Sequence, residues 1–294
     1  MNFQPLKLEH ITLLKPYFSK CTSRLCDCTI GGTFMWQDYF KTDFCIEDGV
    51  LYLRVRDFDG RTAFAYPMGG DGDAPLRKIE EHCRENNIVP EFCMVPEENL
   101  RMLLLTMPDA HVYGDTAWFD YLYNAEDIKN LAGRKYSGQR NHINKFMKLY
   151  ENWSYEEITG DNTEEVKTFM THFLEIDDGS SVTLTEGNVK TMEILDNFDI
   201  YGLLGGILRV DGKIIGMFIG EILHDTLFIH TEKCLKEYEG SYPVLVRESA
   251  RHFAGEGVNY INREEDDGNE GLRTSKMSYH PCMMLEKMAV RATK

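Results

Sequence analysis

The sequence lacks any long run of apolar residues. A helix that crosses a membrane needs about 20 consecutive apolar residues, and the longest runs here, such as Met102–Leu105, are far shorter. The segment Met1–Leu6 also lacks the basic region followed by an apolar region that marks a signal peptide. We therefore expect a cytoplasmic protein without an integral membrane segment.

Paired metal-binding clusters are missing as well. The eight cysteines are scattered along the chain, which favours reduced thiols over a disulfide framework. Cys21, Cys26 and Cys28 lie close together, but a zinc site would need a second cluster of cysteine or histidine. Several histidines stand alone without metal-ligand spacing: His172, His224, His230, His252 and His280. We predict structural thiols and no bound metal, with His280 in a turn before Pro281.

Positive charge is scarce. A net charge of −16 at pH 7 disfavours a protein whose main task is to grip nucleic acid or an anionic membrane, because long-range repulsion opposes both. The segment Ile128–Tyr150 is the exception, with six bases and no acids. It carries a charge of +6, so the remainder of the chain carries −22.

This basic segment predicts an amphipathic helix over Ser137–Tyr150. Its apolar residues recur at spacings of three and four: Ile143, Phe146, Met147 and Tyr150. Arg134, Lys135 and Arg140 lie at its start, where cations oppose the helix macrodipole and a bound anion would be favoured. Two interpretations stay open, an anion-binding cluster and an exposed basic face.

The order of helices and strands predicts an α+β protein built from two similar units. A hairpin in the first half turns at Asp57–Gly60, and one in the second half turns at Asp211-Gly212, a strong hairpin signal. The helix Gly240–Gly255 and a last strand, Val258–Asn262, follow. We predict domains at residues 1–127 and 152–294, joined by a basic linking helix at residues 128–151.

The polar stretch Asn262–Pro281 is the strongest candidate for a functional site. Four acids in a row occupy Glu264–Asp267, and two glycines and two bases follow: Gly268, Gly271, Arg273 and Lys276. Nearby glycines indicate a backbone that turns sharply or admits a close neighbour. Acids followed by bases suit a ligand with an amine and an anionic group. The alternative is a solvated loop whose charges pair with one another.

A strand ending at Glu232, a loop with Gly240 and a following helix resemble the acyl-binding core of the GNAT superfamily. In that core a Gln/Arg-x-x-Gly-x-Gly/Ala loop offers backbone N–H groups to the pyrophosphate of coenzyme A at a helix N-terminus. The loop here reads Glu237-Tyr-Glu-Gly240-Ser-Tyr242. Gly240 matches and, with Ser241, is the candidate for cofactor contact, whereas Glu237 and Tyr242 depart from the pattern. Acyl-coenzyme A is thus one candidate donor, and no cofactor is firmly implied.

Two longer motifs carry a more specific resemblance. The stretch Gly133–Phe146, GRKYSGQRNHINKF, and the stretch Asn262–Pro281 resemble the bacterial family of uncharacterised proteins grouped with the C-terminal domain of lysyl-phosphatidylglycerol synthase. The resemblance covers nearly the whole chain. It implies two GNAT-like domains in tandem, as in the Fem-type aminoacyltransferases, each a mixed, mainly antiparallel sheet flanked by helices. It also implies a working cleft in the second domain and charged tRNA as a candidate donor.

Acyl transfer to an amine needs a neutral nucleophile, a hydrogen-bond donor for the oxyanion and an acid for the leaving group. A backbone N–H at a splay of the core strand is a candidate donor for the oxyanion. Crowded acids raise the pKa of one of them toward neutrality, so the candidate bases or amine-binding carboxylates are Glu232, Glu264 and Asp266. The candidate acids are Tyr242 and Tyr279. The candidate substrate-binding residues are Arg273, Lys276, Arg134, Lys135, Arg140 and Asn262.

Two functions from different classes follow from these residues. The favoured one is an acyltransferase that moves an acyl or aminoacyl group to an amine or hydroxyl acceptor, with a small molecule or amine as the acceptor. The alternative is a non-catalytic GNAT-like module that binds an anionic metabolite or partner. For each single residue the competing interpretation is a surface salt bridge or a core tyrosine.

Overall fold

The computed structural model describes residues 1–56, 60–176 and 182–293, and for residues 182–185 it describes the backbone only. The chain divides into two compact units, Met1–Asp120 with Met284–Lys294, and Tyr121–Met283. These ranges differ from the expected boundaries: the basic segment lies within the second unit, and the last residues belong to the first. The expected hairpin turn at Asp57–Gly60 falls mainly on residues 57–59, outside the described residues.

The strands and helices follow one another in mixed order. The strands are β1 (Gln4–Pro5), β2 (Asp43–Glu47), β3 (Val50–Arg56), β4 (Thr62–Phe64), β5 (Glu91–Pro96), β6 (His111–Tyr113), β7 (Asp120–Asn124), β8 (Trp153–Glu157), β9 (Leu204–Val210), β10 (Lys213–Leu223), β11 (Thr226–Cys234), β12 (Tyr260–Asn262), β13 (Met283–Leu285) and β14 (Lys287–Arg291). The helices are α1 (Ile11–Phe18), α2 (Ile30–Met35), α3 (Ala74–Glu85), α4 (Glu97–Thr106), α5 (Ala125–Asn130), α6 (Ser137–Leu149), α7 (Thr163–Ile176), α8 (Val182–Asp196), α9 (Phe198–Tyr201), α10 (Ser241–Phe253) and α11 (Glu270–Met277).

The sheet of the first unit has the order β1-β2-β3-β4-β5-β14-β6. Its neighbours are antiparallel except for β4 and β5, which are parallel. Buried Phe64, Phe92 and Val95 on the strands pack with Ile79 of α3 and Leu103 of α4. The strand β14, which is largely buried, lies between β5 and β6 in this sheet.

The sheet of the second unit has the order β13-β7-β12-β11-β10-β9-β8. The predicted hairpin at Asp211-Gly212 is confirmed, and it is part of a meander in which β9, β10 and β11 pair antiparallel. Both turn residues have positive φ, 50° and 78°, as a tight two-residue hairpin requires. Between β11 and β12 the pairing is parallel. The fold class is therefore α+β with two mixed, mainly antiparallel sheets, as predicted.

The polar stretch after β12 contains a helix that the sequence did not predict. Asn269 caps α11, because its side chain accepts a hydrogen bond from the backbone N–H of Leu272 at 3.0 Å. No residue of α11 is buried. A helix without a buried face has no apolar periodicity, so pattern reading assigned the stretch to a loop.

Candidate functional site

The core strand β11 runs beyond its parallel neighbour. Only Thr226, Leu227 and Phe228 pair with β12, whereas β11 continues to Cys234. After Asn262 the chain leaves β11, and the N–H of Arg263 instead donates to the carbonyl of Tyr121. Pairing between these two strands therefore ends at Phe228, and the second half of β11 has no parallel partner in β12.

Glu232 lies on this splayed part of β11. It stands opposite Phe218 of β10, and residues directly opposite each other share a face of the sheet. The ring of Phe218 lies 5.3 Å from that of Phe253 in α10. Glu232 therefore faces the side of the sheet that α10 covers.

Arg263 is the main partner of Glu232. Its Nε and Nη2 both donate to the Oε2 oxygen of Glu232, at 3.1 and 2.5 Å, and the two side chains are only 7% and 13% exposed. Burial acts to lower the pKa of Arg263, but the charge of Glu232 outweighs it and raises that pKa. The pair is therefore a buried salt bridge.

One nitrogen of the Arg263 guanidinium, Nη1, differs from the other two in its contacts. Its centre lies 4.9 Å from the ring centroid of Tyr279 and 5.9 Å from that of Tyr123. The Nη1 atom is buried and makes no hydrogen bond within the part of the chain that the structure describes. Burial also raises the pKa of Tyr279 well above its usual value, so this phenol keeps its proton at neutral pH. We call Glu232, Arg263, Tyr123 and Tyr279 the arginine centre.

Sequence reasoning missed Arg263. It named Glu232 and Tyr279, but among the basic residues of the stretch it proposed only Arg273 and Lys276 for substrate binding. A signal was present, because Arg263 is the single base between the last strand and four consecutive acids. A base placed directly after a buried strand is positioned to pair inside the fold, whereas the later bases lie on the exposed helix α11.

His230 lies between two carboxylates next to the arginine centre. It is the extra residue of a β-bulge on β11, since Thr231 pairs with Ile219 while Ile229 pairs with Gly220. Its Nε2 lies 3.0 Å from Glu221 Oε1, and its Nδ1 lies 2.8 Å from Glu264 Oε1.

These two contacts keep His230 charged. Burial acts to lower the pKa of His230, but the hydrogen bonds to Glu221 and Glu264 outweigh it and raise the pKa to about 10. The imidazolium therefore fixes the carboxylate of Glu264. Burial raises the pKa of Glu264 in turn, although the bond to His230 opposes that shift, so this acid moves in the direction predicted for a base.

The state of His230 predicts how stability depends on pH. An unfolded histidine titrates near 6.5, so between that pH and about 10 the folded state holds a proton that the unfolded state has lost. The free energy of unfolding should fall as the pH rises through this window, by up to about 1.4 kcal/mol per pH unit. Urea unfolding at a series of pH values measures the slope. His230→Gln should flatten it, whereas His252→Gln, at a partly exposed position, should not; equal slopes for all three proteins would contradict the assignment.

Both carboxylate oxygens of Asp266 accept hydrogen bonds from neighbouring groups. It is fully buried and accepts hydrogen bonds from the hydroxyl of Tyr121 at 2.6 Å and from Arg273 Nε and Nη2 at 2.9 Å each. The backbone N–H of Gly268 donates a further bond at 2.9 Å. Burial acts to raise the pKa of Asp266, but these bonds hold it below its usual value. This is the opposite of the shift that the proposed role as a base requires, so Asp266 and Arg273 instead hold the turn together.

Lys276 also serves the turn. Its ammonium donates to three consecutive carbonyls, those of Arg263 at 2.5 Å, Glu264 at 3.2 Å and Glu265. Within this turn Glu264 has a φ of 56°, and its N–H donates to the buried side chain of Asn262 at 2.6 Å. Two of the predicted substrate-binding residues, Lys276 and Asn262, therefore position the backbone around Glu264. Lys276 could bind an anion only if its hydrogen bonds to these carbonyls were broken.

The loop before α10 is closely packed. Gly240 has a φ of 85°, and a β-carbon there would lie 2.5 Å from the carbonyl oxygen of His142 in α6. The N–H of Ser241 donates to the carbonyl of Tyr238, and Pro243 has no N–H to offer. A pyrophosphate would find few donors at this helix N-terminus, and Tyr242, the predicted acid, is 37% exposed here.

The packing of Gly240 predicts a stability loss with a matched control. Gly212 has a similar φ of 78° but no atom within 4 Å of an added β-carbon. Gly212→Ala should therefore cost only the left-handed backbone penalty, roughly 1–2 kcal/mol, whereas Gly240→Ala should cost clearly more because the backbone of α6 must shift. Urea denaturation of the two variants measures both values. Equal losses would contradict the packing described for this loop.

The basic segment is not gathered into one anion site. Arg140 donates to the carbonyls of Leu131 and Gly133, where it satisfies the end of α5. Lys135 pairs with Asp127 at 3.2 Å, and Arg134 is exposed. Of the two interpretations left open, the exposed basic face describes these residues better.

The family model described as phosphatidylglycerol lysyltransferase, C-terminal, matches residues 20–290. The chain belongs to this family. This confirms the predicted resemblance.

Relatives of this lysyltransferase C-terminal family share the fold. A conserved protein of unknown function from Bacteroides thetaiotaomicron is 29% identical, with a TM-score of 0.91 and full coverage of both chains. L-PGS from Bacillus licheniformis is 12% identical, with a TM-score of 0.66 over 96% of this chain and 91% of that one. FemX is 8% identical, with a TM-score of 0.62 over 99% and 97%. The predicted architecture of two α+β units, similar in fold to FemX, is confirmed.

A curated relative is an uncharacterized protein of Mycoplasmoides gallisepticum. It is 27% identical over 175 residues, which is 58% of this chain and 56% of the relative. The match thus spans about half of that protein.

Among the described residues, no helix combines the length and the apolar composition that crossing a membrane requires. All eight cysteines are outside disulfides.

Proposed function

We propose that this protein transfers an aminoacyl group from an ester donor to an amine, and that the arginine centre of the second unit carries the reaction. The observation that supports this most is the pairing of Arg263 with a single oxygen of Glu232. Its Nε and Nη2 both donate to Oε2 of Glu232, and Nη1 has no hydrogen-bond partner among the residues that the structure describes. A buried donor of this kind costs stability unless a ligand oxygen accepts its hydrogen bond.

Each member of the centre has a role in this proposal. Arg263 Nη1 donates to the ester carbonyl and stabilises the oxyanion that develops on it. Oε1 of Glu232, which Arg263 does not use, binds the α-ammonium of the donor. Tyr279, which keeps its proton at neutral pH because burial raises its pKa, gives that proton to the leaving oxygen.

Glu264 is the base for the acceptor amine in this mechanism. Its Oε1 is bound to His230, and its pKa is raised by burial, which is the direction a base near neutral pH needs. The amine attacks the ester carbon as Glu264 takes its proton. Because Nη1 of Arg263 is covered, substrate binding includes a movement of the side chains over it.

Two observations favour an aminoacyl ester over acyl-coenzyme A as the donor. At the start of α10, the N–H of Ser241 already donates to a backbone carbonyl, and Pro243 has no N–H. Glu237 and Glu239 add negative charge beside this end of the helix. A pyrophosphate would therefore find few hydrogen-bond donors and nearby carboxylates that repel it. The family description names a lysyltransferase, and FemX shares the fold. Charged tRNA is therefore the donor we propose, with a small amine as the acceptor.

A donor panel tests the proposal. The purified protein is incubated with a mixture of amines and either acetyl-coenzyme A or tRNA charged with a labelled amino acid, and the label in the amine fraction is counted. We expect transfer from charged tRNA only. We also expect the rate at low substrate concentration to fall as salt rises from 50 to about 200 mM, because tRNA contacts release counterions.

The same panel can reject the proposal. Transfer from acetyl-coenzyme A alone would move the site to the loop before α10. Absence of transfer from either donor, together with a rise in melting temperature on adding an anionic metabolite, would support the non-catalytic binding module instead.

A further inference from the structure

The second unit has a small pocket between the strand β8 and the helix α10. Its volume is about 340 Å³, and it is lined by Trp153, Ser154, Tyr155, Glu248, Arg251 and His252. β8 is the last strand of its sheet, so the pocket opens at the edge of the sheet. Ligand pockets in proteins have volumes of about 300–1,000 Å³. The volume therefore suits a ligand no larger than a free amino acid.

The strand supplies aromatic walls for this pocket. Trp153 and Tyr155 are two residues apart on β8, so their side chains share one face of the strand. The hydroxyl of Tyr155 lies 2.9 Å from that of Ser249 in α10, over Gly206 of β9, where any side chain would collide with it. Burial, supported by the charge of Glu232, raises the pKa of Tyr155. The phenol therefore stays neutral, and this wall of the pocket is uncharged.

The helix supplies an acid and a base one turn apart. Nε of Arg247 and Nη1 of Arg251 both donate to Oε1 of Glu248, at 2.7 and 3.3 Å. Nε of Arg251 also donates to the carbonyl of Lys129 at 2.9 Å. Within the described parts of the chain, Oε2 of Glu248 and Nη2 of Arg251 have no hydrogen-bond partner. The pocket thus has one carboxylate oxygen and one guanidinium nitrogen that a ligand can use, both on side chains held in place by other bonds.

We propose that this pocket binds a free α-amino acid with an apolar side chain. The α-ammonium donates to Oε2 of Glu248, the carboxylate accepts from Nη2 of Arg251, and the side chain packs against Trp153 and Tyr155. A zwitterion uses both of these atoms and leaves the bond between Glu248 and Arg251 intact, whereas a simple anion or cation uses only one of them.

The pocket is separate from the arginine centre. Two strands, β9 and β10, lie between β8 and β11, the strand of Glu232. Three strand spacings of about 4.8 Å place β8 about 14 Å from β11. The proposal thus concerns a second ligand site in the same unit, and it does not depend on the transfer reaction.

The test measures binding of L-leucine to the intact chain by isothermal titration calorimetry, without tRNA. We expect a dissociation constant of roughly 1 mM, because the charged groups are partly exposed and solvent weakens their attraction. Leucinamide lacks the carboxylate and N-acetyl-leucine lacks the ammonium. Each should bind at least about fivefold more weakly, since each loses a hydrogen bond between charged groups. Equal affinity for all three compounds would overturn the proposal.

Two variants assign the charged contacts. Arg251→Gln should weaken leucine binding at least about fivefold but leave leucinamide binding unchanged, because the amide has no carboxylate to lose. Glu248→Gln should weaken leucine binding by a similar factor and leave N-acetyl-leucine binding unchanged. Lys148→Gln removes a base from an exposed position on α6 and should alter none of these affinities. Circular dichroism checks that the variants are folded.

Glu232→Gln separates this pocket from the arginine centre. Leucine affinity should be the same in this variant as in the unaltered protein. A loss of leucine binding in Glu232→Gln but not in Arg251→Gln would place the amino acid at the arginine centre and overturn the proposal. The absence of any leucine binding would overturn it as well, and would leave the proposed transfer reaction untouched.

Discussion

Replacing Arg263 with alanine should lower the free energy of unfolding by roughly 3–5 kcal/mol. The change leaves the carboxylate of Glu232 buried and without its partner, and it removes the contacts of the guanidinium with the rings of Tyr123 and Tyr279. Breaking one side of a buried ion pair costs far more than the pair contributes, because the remaining charge stays desolvated. Urea denaturation followed by circular dichroism measures the loss.

Two controls define what the loss means. Lys145 pairs with Glu239 at 2.6 Å, but both side chains are about half exposed, so Lys145→Ala should cost no more than about 1 kcal/mol. Exchanging both partners, Arg263→Met with Glu232→Met, should recover much of the stability lost in Arg263→Ala, because no charge is left buried. A cost for Arg263→Ala as small as that for Lys145→Ala would contradict the buried pair.

Tyr279→Phe should reduce the rate of transfer by a factor of about 10² to 10⁴ while leaving the fold intact. The substitution removes only the hydroxyl, so the ring still packs on the guanidinium of Arg263. Loss of a general acid lowers kcat, and it should change KM little because the substrate contacts remain. Steady-state kinetics with charged tRNA as the donor separates the two parameters.

Tyr242→Phe provides the matched comparison for this result. Tyr242 was an equal candidate for the acid in the sequence, and the charge of Glu232 acts on its phenol as well. It is 37% exposed at the start of α10, however, whereas the ring of Tyr279 packs on the guanidinium of Arg263. Its loss should leave kcat within about twofold of the unaltered protein, the range of an ordinary surface change. Equal losses of kcat in both variants would remove the role given to Tyr279.

Much of the fold could be predicted from local pattern. The helix α6 and the turn before β10 lie where they were predicted, because each has strong local signals: apolar residues spaced three and four apart in α6, and a two-residue turn before β10. The boundaries of the two units were harder to predict from the sequence. That the chain's last strand joins the first sheet depends on long-range pairing, which local sequence does not encode.

The candidate site was predicted in part. Sequence reasoning chose the stretch Asn262–Pro281 and named Glu232 and Tyr279, which the structure places against Arg263. It also named Glu264, but it set His230 aside as an isolated histidine. Its two carboxylates come from Glu221 and Glu264, residues that converge only through the sheet and the turn. Spacing along the chain cannot reveal such a contact.

The bases were the least predictable residues. Lys276 and Arg140 were expected to bind anions, yet both donate to backbone carbonyls. Carbonyl groups at turns and helix ends need donors wherever water is excluded. Since composition does not identify which carbonyls those are, a cation that satisfies them is indistinguishable in sequence from one that binds a ligand.

The central claim is that the arginine centre transfers an aminoacyl group. Single-turnover transfer of a labelled aminoacyl group from charged tRNA to an amine tests it most directly, with the unaltered protein and Glu232→Gln compared at equal concentration. The substitution keeps the size and the hydrogen bond to Arg263 but removes the charge that binds the α-ammonium. We predict transfer by the unaltered protein and a loss of at least about tenfold in the variant, the effect of 1.4 kcal/mol in the barrier. Transfer at an unchanged rate in Glu232→Gln would contradict the claim.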